Sequence, residues 1–137
     1  MNGQKEFEFH YKNGKKDGLS IRWYENGQKG VEKNYKDGKS EGLSMSWYQN
    51  GQNNSDGYFK DGEFNGLLTS FDTNGEKTTA YHKNDKVDGV VTTFDKNGKK
   101  KWAASFKDGK KNGLAIEWSE NGEKKMVLNF VDDVLIH

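Results

Sequence analysis

Apolar and polar residues alternate along short segments of the chain, and glycine-containing turns separate these segments. From Gly18 to Tyr24, apolar side chains occupy every second position, which is the period of a half-buried β-strand. Asn26-Gly27 follows, and Asn-Gly between two alternating segments is the strongest short-range hairpin signal. We therefore expect a β-hairpin with a type I′ turn, in which Asn and Gly both have positive φ, and a return strand from about Lys29 to Tyr35.

The hairpin pattern recurs through the whole sequence. One series of Asn-Gly pairs starts at positions 2, 26, 50, 74, 97 and 121, so the period is 24 residues and is shortened once to 23. Four other columns keep these steps. The residues that we assign to building the repeat are the turn glycines Gly27, Gly51, Gly75, Gly98 and Gly122 and the aromatic column Trp23, Trp47, Phe71, Phe94 and Trp118. The other columns are an aliphatic series that begins at Leu19, a glycine series that begins at Gly18, and a Tyr/Phe series that begins at Tyr11.

The repeat predicts one domain over residues 1–137. It begins with a partial repeat at 2–12, continues with repeats at about 13–34, 35–58, 59–81, 82–105 and 106–130, and ends with an apolar C-terminal cap at 126–137. Because the first residues match the middle of a hairpin, we expect that a preceding segment is missing. The shortened step loses one residue within Glu76 to Tyr81, and His82 and Asp85 replace the usual aromatic residue and glycine there, so we expect a bend or a specific contact.

The predicted architecture is all-β: an elongated, single-layer antiparallel β-meander of about 11 strands, a β-hairpin solenoid. Apolar residues make up only 31% of the chain, too few for a compact two-layer core. We expect one face to carry the Leu-x-Ile-x-Trp positions together with the Tyr/Phe series, with aromatic rings packed over glycines and beside small residues such as Gly57, Ala80 and Ala104. Each hairpin then buries its rings only against its neighbours.

The charge balance argues against several classes of partner. The chain has 22 basic and 21 acidic residues, and Arg22 is the only arginine that could supply a bidentate fork to phosphate or guanine, so we expect no nucleic-acid partner. Cysteine is absent, which excludes disulfides and cysteine-ligated zinc. No apolar run approaches the length of a transmembrane helix, so we expect no transmembrane segment.

Candidate chemistry is sparse. The three histidines, His10, His82 and His137, have no second histidine, cysteine or suitably spaced carboxylate beside them that would complete a metal site. Residues 84–89 lack the ligand spacing of a calcium loop and are typical of a turn. Repetition also argues against an active site, because a catalytic group is usually placed once. We expect no enzyme activity, no cofactor and no metal.

The face opposite the aromatic column changes its charge from one repeat to the next, while the structural columns stay constant. We propose this graded face as a contact surface, although an ordinary solvated sheet face explains it equally simply. Its candidate partner-binding residues are Arg22, Tyr24, Tyr48, Asp72, Asp95 and Glu117. Lysine runs at 99–101, 110–111 and 124–125 suggest either an anionic partner or a charged edge that discourages aggregation.

The segment Tyr35-Lys36-Asp37-Gly38-Lys39-Ser40-Glu41-Gly42-Leu43, followed by Trp47-Tyr48-Gln49-Asn50-Gly51-Gln52, resembles the MORN-repeat variant of bacterial proteins. The resemblance covers residues 2 to about 130 and departs from the pattern at positions 82 and 85. It implies a twisted sheet of hairpins, and interaction roles such as scaffolds, membrane-associated adaptors, and antitoxin or immunity proteins. A second resemblance, to choline- and glucan-binding repeats, rests on alternating Trp-Tyr and Asn-Gly pairs.

These resemblances suggest a non-catalytic module that binds another protein, with an immunity- or antitoxin-type inhibitor of a bacterial toxin as the narrower hypothesis. The alternative is a module that attaches to membrane lipid or cell-wall glycan, and a structural spacer is a third option. We favour the bacterial cytoplasm as the location, or a secreted or surface position if an N-terminal segment is missing.

Overall fold

The computed structural model describes residues 6–136, which form strands and turns and no helix. The chain divides into two compact units, Met1–Asn65 and Gly66–His137. The strands of the first unit are β1 (Phe7–Glu8), β2 (Tyr11–Lys12), β3 (Lys15–Lys16), β4 (Gly18–Trp23), β5 (Lys29–Lys36), β6 (Lys39–Ser40), β7 (Gly42–Trp47), β8 (Asn53–Lys60) and β9 (Glu63–Phe64). Those of the second are β10 (Gly66–Phe71), β11 (Lys77–Lys83), β12 (Lys86–Val87), β13 (Gly89–Phe94), β14 (Lys100–Lys107), β15 (Lys110–Trp118), β16 (Lys124–Val131) and β17 (Val134–Ile136).

Each unit is an antiparallel meander, which confirms the predicted fold class. The sheet order is β1-β4-β5-β7-β8 in the first unit and β10-β11-β13-β14-β15-β16-β17 in the second. More strands are observed than the predicted 11, because the segment before most outgoing strands pairs briefly with the preceding return strand. In β5 and β6, for example, Tyr35 pairs with Ser40 and Lys36 with Lys39. The predicted Asn2-Gly3 turn and His137 lie outside the described residues.

The two turns of each repeat have different geometries, and for the turns at positions 26, 50, 74, 97 and 121 the prediction of type I′ is wrong. Gly27 has φ of 85°, but Asn26 is not among the residues with positive φ. The Gly27 N–H donates to the Tyr24 carbonyl oxygen over 3.0 Å, and the Tyr24 N–H donates to the Gln28 carbonyl oxygen over 2.8 Å. This is a type I turn followed by a left-handed glycine, the usual three-residue hairpin loop.

Type I′ geometry occurs instead at the other turn of the repeat. Asp37 and Gly38 have φ of 50° and 85°, and this two-residue loop closes the short β5–β6 pairing. Where the glycine is replaced, aspartate adopts the same conformation: Asp85 has φ of 68° and Asp133 has φ of 71°. Asp and Asn tolerate this region better than other side chains, so the turn persists without its glycine.

Within residues 6–136, a β-bulge follows the Asn-Gly turn in every repeat except the 23-residue one. Arg22 pairs with Val31 and Trp23 with Lys29, which leaves Gly30 as the extra residue. The corresponding skipped residues in the other bulges are Asn54, Lys101 and Lys125. In the 23-residue repeat the register of β10 and β11 runs without a shift from Gly66–His82 to Phe71–Lys77. The residue that this repeat lacks is therefore the bulge residue.

The bulge also decides which side chains share a face. The prediction that the Trp23 column and the Tyr/Phe series lie on one face is wrong because of it. Directly paired residues point to the same side of a sheet. Gly18 pairs with Tyr35 and Ile21 with Glu32. The Tyr/Phe series therefore lies on the same face as the glycines that it pairs with. Ile21 and the Trp23 column lie on the other face. Without the bulge at Gly30, the one-residue shift would have placed both aromatic series on one face. In each unit we call the face of the Trp/Phe column the tryptophan face and the opposite one the glycine face.

Burial is shallow, as a single layer requires. Among residues 6–136 the buried apolar side chains are Ile21 (6% exposed), Ala80 (8%), Ala104 (2%) and Ala115 (7%). Gly57 is buried too. Larger side chains stay partly exposed because nothing packs on top of them. The predicted C-terminal cap forms the β16–β17 hairpin, whose apolar side chains include the exposed Val134 and Ile136.

Candidate partner-binding surface

Each unit carries an exposed apolar strip on its own tryptophan face, at the end of the strands nearest the type I′ turns. In the first unit it consists of the cross-strand pair Leu43 and Tyr58, which are 37% and 51% exposed. In the second unit it consists of Tyr81, Val90 and Leu114, which are 53%, 47% and 49% exposed. We call these residues the leucine–tyrosine strip. Clustered exposed apolar residues that include tyrosine are typical of interaction surfaces.

Strand pairing fixes the surroundings of Tyr81. Tyr81 pairs directly with Leu67, and its Cβ lies 3.6 Å from the position that a Cβ on Gly89 would take, next to Val90. Sequence reasoning missed the two tyrosines, since they belong to a column in which Asn34, Ser105 and Asn129 stand at the equivalent places. Once the register is known, the pairing of both tyrosines with residues of the Leu/Val column is the signal that could have identified them.

The residues of the graded face that the sequence suggested make different local contacts in the structure. The Arg22 guanidinium lies 5.8 Å from the centre of the Tyr24 ring. That ring lies against Gly30, and its hydroxyl donates a 2.7 Å hydrogen bond to the carbonyl oxygen of Trp47. Tyr24 therefore stabilises the sheet, while Arg22 is exposed and Tyr48 is half-buried.

The acidic members of the graded face make local contacts. Asp72 Oδ1 accepts hydrogen bonds of 2.9 Å from the N–H groups of Asn74 and Glu76. Asp95 accepts equivalent bonds in the next repeat, from the N–H groups of residues 97 and 99. Both carboxylates thus stabilise the Asn-Gly turns that follow them. Glu117 has Lys125 Nζ at 3.5 Å across the bulge of β15 and β16.

Aromatic and lysine side chains alternate along the other end of the tryptophan face in the second unit. Strand pairing connects most of the row, because Phe71 pairs with Lys77, Lys77 with Phe94, Phe94 with Lys100, and Trp118 with Lys124. Lys77 Nζ lies 4.8 Å from the centre of the Phe94 ring, and Lys100 Nζ lies 5.7 Å from the Trp118 ring. We call these six residues the aromatic–lysine row.

A groove of about 590 Å³ opens beside this row, at the Asn-Gly turns of the second unit. Its lining includes Trp118 and four lysines of one turn: Lys96, Lys99, Lys100 and Lys101. Lys101 Nζ lies 2.8 Å from Glu76 Oε1. The pKa of Lys101 is raised above its ordinary value of 10.5, first by the hydrogen bond to Glu76 and then by the charge attraction between the two groups.

No cluster of three or more metal-ligating side chains occurs within the part of the chain that the structure describes. His82 stands in the Tyr/Phe column and pairs with Gly66 and Val87. His10 lies near the N-terminal hairpin, with Nε2 at 3.7 Å from Glu8 Oε2. Over residues 6–136, no helix has the length and hydrophobicity needed to span a membrane.

Comparison with known proteins identifies the repeat. A search of curated proteins found no match. Residues 16–37 match the family model described as MORN repeat variant. In the structure these residues comprise the end of β3, the β4–β5 hairpin with its Asn26-Gly27 turn and Gly30 bulge, and the first residue of the next turn. Over residues 16–37 the chain is thus similar to the MORN repeat variant.

Proposed function

We propose that this chain is a non-catalytic module that binds another protein through the leucine–tyrosine strip. The observation that carries the proposal is the exposure of Tyr81, Val90 and Leu114 on one face of the second unit. In a single-layer sheet these side chains have no second layer to cover them, and a partner surface would remove their apolar area from water.

We further propose that the partner is a bacterial toxin and that the chain acts as an immunity or antitoxin protein. The resemblance of the repeats to the bacterial MORN variant supports this narrower proposal. An inhibitor of this kind needs a broad, preformed contact surface and no catalytic group, and a sheet face with regularly spaced side chains supplies such a surface.

The binding experiment uses the purified chain and the product of the adjacent gene as the candidate toxin, with calorimetry as the measurement. Tyr81→Ser combined with Leu114→Ser should weaken binding about thirtyfold or more, since one central contact residue is typically worth about 2 kcal/mol. The matched control replaces Lys83 and Lys107, two exposed residues of the same unit, with serine. Equal affinity for the strip variant and the control would overturn the proposed contact surface.

The graded face stays a competing prediction, and Arg22 is its best probe because Tyr24 has a structural role. Arg22→Ala removes an exposed side chain whose guanidinium lies 5.8 Å from the centre of the Tyr24 ring. The fold should tolerate the loss of this long contact. If the strip is the contact surface, Arg22→Ala should leave affinity within about threefold. A large loss with Arg22→Ala and none with the strip variant would favour the graded face.

The aromatic–lysine row supports a second candidate function, attachment to an anionic lipid or glycan. Three lysines alternate with three aromatic rings on a face that a large surface can approach. Sedimentation with anionic vesicles, or retention on immobilised acidic glycan, tests this function independently of any protein partner.

A further inference from the structure

The aromatic–lysine row has a period that suits a linear, periodic ligand. Phe71, Phe94 and Trp118 lie two strands apart, and neighbouring strands are about 4.8 Å apart, so the rings recur about every 10 Å across the second unit. The lysines of the row recur at the same interval: Lys77 and Lys100 stand between the rings, and Lys124 follows Trp118. This interval is close to the length of one disaccharide in an extended β-linked glycan.

The charge pattern of the strands adds a second constraint. Glu117 is the only acidic residue in strands β10 to β17 of the described chain. It pairs with Trp102 and Met126 and therefore lies on the glycine face. The tryptophan face of the second unit is consequently cationic along the row, and its strands offer no carboxylate that would repel an anionic ligand. Of the acids beside the row, Glu76 is paired with Lys101, Asp72 and Asp95 accept backbone N–H bonds in their own turns, and Glu120 lines the groove beside Trp118.

We propose that the aromatic–lysine row binds an extended, β-linked acidic polysaccharide that carries one carboxylate per disaccharide. Sugar rings pack on Phe71, Phe94 and Trp118, and the carboxylates pair with the lysines between them, so the glycan runs across the strands. In the free protein Lys77 Nζ lies over the Phe94 ring. A carboxylate attracts this ammonium group more strongly than the ring does, which uncovers the ring for the sugar.

The same chemistry distinguishes this ligand from other anions. Polyphosphate and an acidic peptide have no flat apolar face repeated at this interval, so they would use the lysines without the rings. Nucleic acid is disfavoured because Arg22, the only arginine, is in the other unit. An anionic lipid surface would use the lysines too, but its headgroups do not require rings at a fixed spacing.

Titration calorimetry with four probes separates these cases. The probes are a hyaluronan decasaccharide, a neutral chitin hexasaccharide, poly-L-glutamate, and phosphatidylcholine vesicles with one third phosphatidylglycerol. We expect the hyaluronan oligosaccharide to bind best and its binding to weaken as salt is added. Equal binding of poly-L-glutamate or a preference for the vesicles would overturn the proposal, as would equal binding of the neutral oligosaccharide.

Variants test the two halves of the row. Trp118→Ala and the lysine substitution Lys100→Gln should each reduce hyaluronan affinity about tenfold, whereas Trp118→Phe should keep most of it. The matched control is Lys107→Gln, which removes the same charge from β14 outside the row. If Trp118→Ala lowers the thermal midpoint, Lys100→Gln still decides the result, because Lys100 is exposed. Equal loss with Lys107→Gln would show nonspecific charge attraction and overturn the proposal.

This inference deepens the attachment function and is independent of the protein-binding function. The Tyr81→Ser and Leu114→Ser variant changes the leucine–tyrosine strip and leaves the row intact, so it should bind hyaluronan normally. Conversely, Lys100→Gln should bind a protein partner normally if that partner uses the strip. Failure of one proposal is thereby distinguishable from failure of the other.

Discussion

The hydroxyl of Tyr24 donates a 2.7 Å hydrogen bond to the carbonyl oxygen of Trp47, a residue of the following repeat. The Tyr24 ring meanwhile lies against Gly30, where an added Cβ would be 3.2 Å from the ring carbon Cε2. One side chain therefore connects the bulge of its own hairpin to the backbone of the next. In a sheet with few buried side chains, such links between neighbouring repeats supply much of the stability.

The first prediction concerns this link. Tyr24→Phe should lower the free energy of unfolding by about 1 kcal/mol through loss of the hydrogen bond, and Gly30→Ala should lower it by about 1–3 kcal/mol through crowding of the ring. In the double variant the ring is no longer held by its hydroxyl and can move, so the combined cost should be less than the sum. Urea unfolding of the four proteins measures this coupling. If the two costs simply add, the proposed coupling between Tyr24 and Gly30 is contradicted. Tyr58→Phe, at an exposed tyrosine, is the control.

The fold class was predictable from the sequence because strand alternation and Asn-Gly spacing are local signals. The register was not, since it depends on Gly30, a bulge residue that has no distinctive signature and is Asn54, Lys101 or Lys125 in other repeats. The candidate site could not be predicted for the same reason. Without the register, Tyr81 could not be placed beside the Leu/Val column, nor Lys77 beside Phe94.

The second prediction tests the bulge. One glycine inserted after Lys77 restores the 24-residue period, and it should be accommodated as a bulge like those of the other repeats. We expect a folded protein whose thermal midpoint falls by only a few degrees. The matched control is one glycine inserted after Ala80, in the regular part of β11. This insertion would move Tyr81 and His82 each to the face opposite its present one. Equal destabilisation by both insertions would contradict the assignment of the missing residue.

The third prediction isolates the cost of backbone conformation at a type I′ turn. Gly109 has φ of 85°, and no heavy atom lies within 4 Å of an added Cβ, so a substitution there meets no steric contact. Gly109→Ala should therefore lower stability by about 1–2 kcal/mol. Gly109→Asp should cost less, because Asp85 and Asp133 already occupy equivalent positions with positive φ. Chemical unfolding gives both values, and a larger loss for Asp than for Ala would contradict the explanation.

The last prediction concerns pH. The pKa of Lys101 is raised above 10.5 by its hydrogen bond and attraction to Glu76, so the folded state binds this proton more tightly than the unfolded chain does. The pair's contribution to stability is therefore fully present at neutral pH and is lost only as pH rises through the folded-state pKa. Glu76→Gln should bring the pKa of Lys101 back towards 10.5 and remove the part of the alkaline loss of stability that this pair causes. Carbon NMR of the lysine Cε follows the titration directly, with Glu120→Gln as the control in the same groove. An unchanged Lys101 titration in Glu76→Gln would show that Lys101 and Glu76 are not paired in solution.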